Sequence, residues 1–255
     1  MKISLRHTMR FSLGSPAHAA EHLLLTPLST PQQKVERWSI EMPGIAEAAA
    51  FRDAFGNRAH LVTQTRPEGE LVVTISGAVE TFDKAGVLGR LEYDPMPALF
   101  RRATAETKAD PALIEGLSPV GGRIALLHEL MDRVHQAIGA PAQMQVQGAE
   151  GQAQDSELEP QDFAHAFIGS ARALRIPARY VTGYVIDEET ASFHAWVEAW
   201  DEGLGWIGFD AALNLCPAET HVRLAAGLDA TSTMPIRAVP VWGEMPAETV
   251  ELLAE

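Results

Sequence analysis

Pro160-Gln-Asp-Phe-Ala-His165 opens the stretch that decides how this chain folds. It runs on through Ala178-Arg-Tyr-Val-Thr-Gly-Tyr-Val185 and Phe193-His-Ala-Trp-Val-Glu198, and closes on Gly205-Trp-Ile-Gly-Phe-Asp210. Phe163, Phe167, Ala171 and Leu174 recur at helical spacing and give a helix with one apolar face. Pro160 suits the first helical position, where its missing N–H would have no partner anyway. Asp155 and Ser156 read as loop or capping groups before it. After Ile176-Pro177 the period falls to two and β-like runs follow. His194, Trp196 and Glu198 then share one face, with Ala195, Val197 and Ala199 on the other. Asp201-Glu-Gly-Leu-Gly205 is turn chemistry, so a hairpin can bring His194 and Asp210 together on one face.

Working outward, the first third reads as β structure. Ile3, Leu5, His7, Met9 and Phe11 alternate as in a half-buried strand. Further runs are Glu21–Thr26, stopped by Pro27; Val35–Met42, stopped by Pro43-Gly44; and Leu71–Ile75. Asp53-Ala-Phe-Gly-Asn57 predicts a turn between paired strands, with Gly56 and Asn57 taking positive φ. Ile124, Leu127, Leu130, Met131, Val134 and Ile138 predict another helix, with Gly121-Gly122 before it and Gly139 after it. Gln143–Glu159 reads as a surface loop. His221–Gly227 and Pro235–Trp242 are two more strands, and the acidic tail after Gly243 packs loosely. The class is α+β: an N-terminal β-sandwich-like domain over 1–80, then 81–255 as a linking segment and a core of helices on an antiparallel sheet.

A net charge of −14 argues against nucleic acid, whose phosphates need clustered Lys and Arg. No apolar run reaches the roughly 20 residues of a membrane helix, and no secretory leader is visible. One cysteine, Cys216, excludes an internal disulfide and leaves no thiolate cluster for a structural metal. The expected location is cytoplasmic.

A helix followed by strands that deliver one His and one Asp is the layout of a Cys-His-Asp hydrolase. There a thiolate at a helix N-terminus is activated by a histidine, and a carboxylate orients that histidine. The chain resembles the bacterial transglutaminase-like family, with its papain-like core of cysteine-protease type. The resemblance is carried by Gln161–His165, Ile176–Tyr184, His194–Glu198 and Gly205–Asp210, with Arg6-His7-Thr8 and Arg52–Arg58 in the N-terminal third. It covers nearly the full length. In that family the helix opens Gly-X-Cys-Gln-Asp-Phe-Ala-His, so the nucleophile's position is taken here by Pro160. Proline has no nucleophilic atom. Two further departures are Asp210-Ala211-Ala212, where the family continues Asp-Pro-Thr, and Ala137–Ala142, where an aromatic often frames the oxyanion.

The resemblance therefore implies a vestigial His194–Asp210 dyad, with Gln161, Asp162 and Trp196 as cleft residues. Trp196, Trp206 and Phe209 read as core, with some free to line a residual cleft. Cys216, six residues past Asp210, reads as a small buried hydrophobe. Asp162 and His165, with His194, form no complete ligand set, and neither a metal nor another cofactor is expected. The favoured function is a non-catalytic homologue that binds a peptide or protein. The alternative is an active cysteine-type peptidase, amidase or acyl transferase using His194 and Asp210 with an unrecognised nucleophile. A third implication is a complex with ATP-grasp proteins of the peptide-ligase type.

Overall fold

The computed structural model describes residues 1–12, 16–67, 69–145, 159–241 and 247–253. The alternation at the N-terminus becomes strand β1 (Lys2–Ser12), with Ile3, Leu5, His7, Met9 and Phe11 all buried. It is followed by β2 (His18–Thr26), β3 (Gln33–Glu41), β4 (Ala49–Arg52), β5 (Arg58–Thr65) and β6 (Glu70–Thr81). The Asp53–Asn57 turn joins β4 to β5 as the sequence predicts. Gly56 takes φ 86°, and a Cβ there would lie 2.6 Å from the Tyr93 carbonyl oxygen. Asn57 is not at positive φ among the described residues; its side chain is committed elsewhere.

The core begins with β7 (Val87–Gly89) and the short α1 (Pro111–Ile114). Two longer helices follow, α2 (Arg123–Gln145) and α3 (Pro160–Ala173). Helix α2 runs through Gly139, which was expected to stop it. A mid-helix glycine costs about 1 kcal/mol but does not terminate a helix whose apolar face is packed, and Leu127, Leu130, Met131 and Val134 are all buried. Gln143–Gln145, expected in the surface loop, therefore belong to α2; residues 146–158 of that loop lie outside the described residues. Then come β8 (Ala178–Asp187), β9 (Thr190–Asp201), β10 (Gly205–Phe209) and β11 (His221–Gly227). These form an antiparallel sheet in the order β11-β8-β9-β10-β7. Ala195, Val197 and Ala199 face α2 and α3, in one cluster with Leu130, Phe163, Phe167 and Phe209.

The chain then returns to its beginning. Strand β12 (Ile236–Val239) pairs with β2, and β13 (Ala247–Leu252) pairs with β1, Val250 opposite His7. The segment 247–252 was expected to pack loosely. The open edge of β1 captures it instead, because an unpaired strand edge presents N–H and C=O groups that need partners. The two N-terminal sheets, β13-β1-β6-β3 and β12-β2-β5-β4, are thus completed by residues well beyond position 80. A boundary at 80/81 marks a change of pattern along the chain, not a separation of the sheets.

Two carboxamides fasten the units together. Gln33 donates from Nε2 to the Arg223 carbonyl at 2.8 Å and accepts from the Arg223 N–H at 2.7 Å. Asn57 does the same at Ala226, at 2.7 and 2.8 Å. Both thus satisfy the backbone of β11, the outermost strand of the core sheet. The linking segment is held by Arg172 at the end of α3. Its buried guanidinium donates to the carbonyls of Phe100, Ala178 and Leu228 and to Thr107 Oγ1. Burial pushes it down to about 10, still charged at neutral pH.

Candidate functional site

Helix α3 starts at Pro160 with Glu159 as its N-cap. Glu159 and Asp162 form a reciprocal capping box, in which the Glu159 N–H donates to Asp162 Oδ2 at 3.3 Å. Gln161 donates from Nε2 to Glu159 Oε2 at 2.6 Å. The helix start therefore presents carboxylates, a carboxamide and a proline ring. Tyr180 on β8 faces this acidic end: burial drives its hydroxyl pKa upward, and the charges of Glu106, Glu159 and Asp162 add to the effect.

His194 lies on β9 and Asp210 follows β10. Imidazole Nε2 and carboxylate Oδ2 are 2.6 Å apart, and both residues are buried. The sequence-predicted pair is thus in contact. A third member was not anticipated. His221, the first residue of β11, approaches the same Oδ2 with its own Nε2 at 3.1 Å. Its strand was legible, but nothing in the spacing links residue 221 to residue 210. Asp210 Oδ1 accepts from the N–H groups of Ala212 and Leu213, each at 3.1 Å. Burial alone would raise the Asp210 pKa, but the hydrogen bonds and charge of the two histidines outweigh it and hold the carboxyl at about 2.

Trp196, two residues from His194, is buried with Val181 and Ala226. Its ring lies nearly parallel to His194 at 6.3 Å and edge-on to His221 at 5.3 Å. Gly183 makes room: a Cβ there would lie 2.1 Å from the Val222 carbonyl and 2.6 Å from the Trp196 ring. Trp196, itself buried, therefore packs against both histidines. Gln161 and Asp162 sit at the start of α3, half-buried and exposed respectively.

Further along the same sheet face, Glu198 is also buried. It accepts from Arg179 Nε at 2.5 Å and from Arg223 Nε at 2.7 Å. Arg179 also reaches Asp94 at 2.8 Å and lies 4.0 Å over the Trp206 ring. Burial raises the Glu198 pKa, and the two guanidinium groups more than reverse it. A cavity of about 250 Å³ adjoins this cluster, lined by Arg52, Phe55, Asn57, Tyr93, Asp94 and Arg223. Asp94 Oδ2 is buried without a partner among the described residues.

The remaining candidates fall away from His194. Cys216 is half-buried against Gly86 and packs on the helix-side core, and burial pushes its thiol pKa up. His165 packs on Tyr180 with the rings tilted at 5.1 Å, accepts from the Ala230 N–H, and has its pKa lowered by burial. Asp155 and Ser156 lie outside the described residues.

Helices packed on one face of an antiparallel sheet, with a His on one strand paired to an Asp at the end of the next, define a papain-like α+β core. Residues 129–211 match the Transglutaminase-like superfamily, and residues 3–80 match the Bacterial transglutaminase-like N-terminal region. The chain thus carries a transglutaminase-like core together with that N-terminal region. An uncharacterized protein of Mycobacterium leprae (strain TN) is 26% identical over 257 residues, covering 91% of each chain. The crystal structure described as a "Putative Cysteine Protease" from Cytophaga hutchinsonii superposes with a TM-score of 0.72. The superposition covers 100% of this chain and 91% of that one at 21% identity, a likeness of fold.

Proposed function

We propose that this protein is a transglutaminase-like scaffold without amide-bond chemistry of its own, and that it binds a peptide or protein partner. The observation that carries the reading is Pro160 at the first position of α3, where a cysteine-type enzyme of this class needs its thiol. Around it, Glu159 and Asp162 place negative charge at the helix start, which opposes formation of a thiolate. Cys216 offers no substitute, since its pKa is raised and it packs against Gly86. His194 and Asp210 remain paired as they would be for catalysis, and both are buried. A polypeptide ligand suits a scaffold whose structural relative is described as a protease. The cavity beside Arg223 would meet such a ligand with a guanidinium and with the unpaired Asp94 oxygen.

One observation favours the alternative of retained chemistry: the 2.6 Å His194–Asp210 contact keeps the base and its orienter assembled. The deciding assay compares peptidase and transamidation activity of the native protein with Pro160→Cys. The expected result is silence in the native protein and thiol-dependent turnover in the variant, lost again on adding His194→Ala. Turnover by the native protein that His194→Ala abolishes would overturn the proposal.

A further inference from the structure

We propose that His194, Asp210 and His221 bind one divalent transition-metal ion of the zinc class. This rests on the reading that no thiol works with His194, since a ring serving a cysteine cannot also spend its Nε2–Asp210 contact on a metal. Of Asp162, His165 and His194, the incomplete ligand set of the sequence, the first two are taken up by the α3 cap and by Ala230.

The geometry is that of a ligand set. One candidate ligand atom from each of the three residues lies within 4.8 Å of the others, and all three residues are buried. The two Nε2–Oδ2 separations are 2.6 and 3.1 Å. Metal–ligand bonds of about 2.0–2.2 Å in a tetrahedral site place neighbouring ligand atoms roughly 3.3–3.6 Å apart, so both histidines would draw back from Oδ2, His194 the further, to admit the ion. Two imidazoles and one carboxylate are a donor set that zinc and ferrous iron accept, with further positions left for water or a ligand.

The supporting contacts fit as well. Asp210 Oδ1 is held by two backbone N–H groups, which leaves Oδ2 as the oxygen presented to the histidines. His221 Nδ1 is 3.1 Å from Thr220 Oγ1. When a neutral imidazole binds a metal through Nε2, its proton resides on Nδ1, and here Thr220 can accept it. The two N–H···O contacts to Asp210 would be exchanged for two metal–nitrogen bonds and one metal–oxygen bond, with each ring proton moving to Nδ1. Charge argues the same way. Glu198 on the same face has two permanent guanidinium partners, whereas the partners of Asp210 carry charge only when protonated. A divalent ion would place a fixed positive charge beside the buried Asp210 carboxylate.

The test is metal content. Wild-type protein, Asp210→Asn and His221→Gln are equilibrated with excess zinc, passed through gel filtration and measured by elemental analysis. The expected result is about one zinc per chain in the wild type and at least a tenfold loss in each folded variant. Because a variant may fail to fold, the ¹⁵N resonances of the His194 and His221 rings in the wild type give a second readout. Their Nε2 signals should shift and saturate at one equivalent of zinc. A wild type that retains no stoichiometric zinc, variants that retain it in full, or unmoved Nε2 signals would each overturn the site. Metal content is independent of turnover. Thiol-sensitive amide hydrolysis by the metal-free native protein would sink the non-catalytic reading and with it the premise of the site, while failure to load zinc would sink the metal site alone.

Discussion

Two buried carboxylates on one face of the core sheet, Asp210 and Glu198, are each bridged by two nitrogen bases. Glu198 sits between Arg179 and Arg223, and Asp210 between His194 and His221. The arrangements look alike, yet their chemistry differs. A guanidinium keeps its proton at any pH a protein survives, so the Arg–Glu–Arg cluster has one protonation state and one job. Asp94 adds a second carboxylate to it, giving two negative charges against two positive ones. Imidazole exchanges its proton and its tautomer within the physiological range. The His–Asp–His cluster therefore offers two imidazole nitrogens and one carboxylate oxygen, the donors of the proposed metal site. One cluster locks the core to the linking segment, and the other gathers the donor atoms of the proposed metal site.

The sharpest break of this comparison is Glu198→Gln. It removes the charge that two buried arginines share, and uncompensated buried charge costs about 3–5 kcal/mol. The expected fall in Tm is at least about 6 °C for a chain of this size, read by thermal denaturation at pH 7. A fall of only a degree or two would mean that water or Asp94 compensates the arginines.

Legibility divides along the same line. The alternation His194, Trp196, Glu198 was enough to place these side chains on one face, and the hairpin length was enough to bring His194 to Asp210. Strand periodicity reports on neighbours within a hairpin. It does not report on which distant strand edge completes a site, so His221 was not foreseen although its strand was. The same limit hid β13: an acidic hexapeptide has little reason to form a strand until the open edge of β1 offers hydrogen bonds. Asn57 was legible as turn chemistry, yet its side chain spends itself on Ala226, a contact 169 residues away that no local rule contains.

A smaller effect separates the histidine cluster from the arginine one by pH. Folding takes Asp210 from an ordinary 3.8 to about 2. A depressed carboxyl pKa stabilises the fold fully above about pH 4, and that stabilisation disappears as the pH falls toward 2. The shift corresponds to about 2 kcal/mol. Asp210→Asn should therefore lower Tm by roughly 4–8 °C at pH 7. Between pH 4 and pH 2 the variant should lose less additional stability than the wild type. Parallel stability-versus-pH curves in that window would show that Asp210 is not held ionised by its histidines.

The smallest expected effect concerns the one thiol. Cys216 is half-buried on the helix side of the sheet, whereas His194 and Asp210 are on the opposite face. Replacing it by serine should cost no more than about 1 kcal/mol, because a small, partly exposed thiol contributes little packing. Its reaction with iodoacetamide at pH 7.5 should be slower than that of a free thiol in water, since burial raises its pKa. The rate should be unchanged by His194→Ala. A thiol activated by His194 would behave in the opposite way, reacting faster than free cysteine and slowing when the imidazole is removed. The pair of rates therefore decides whether the histidine cluster has any sulfur to serve. With equal and slow rates, Cys216 is not the sulfur that His194 serves, and the imidazole keeps the Asp210 contact seen in the structure.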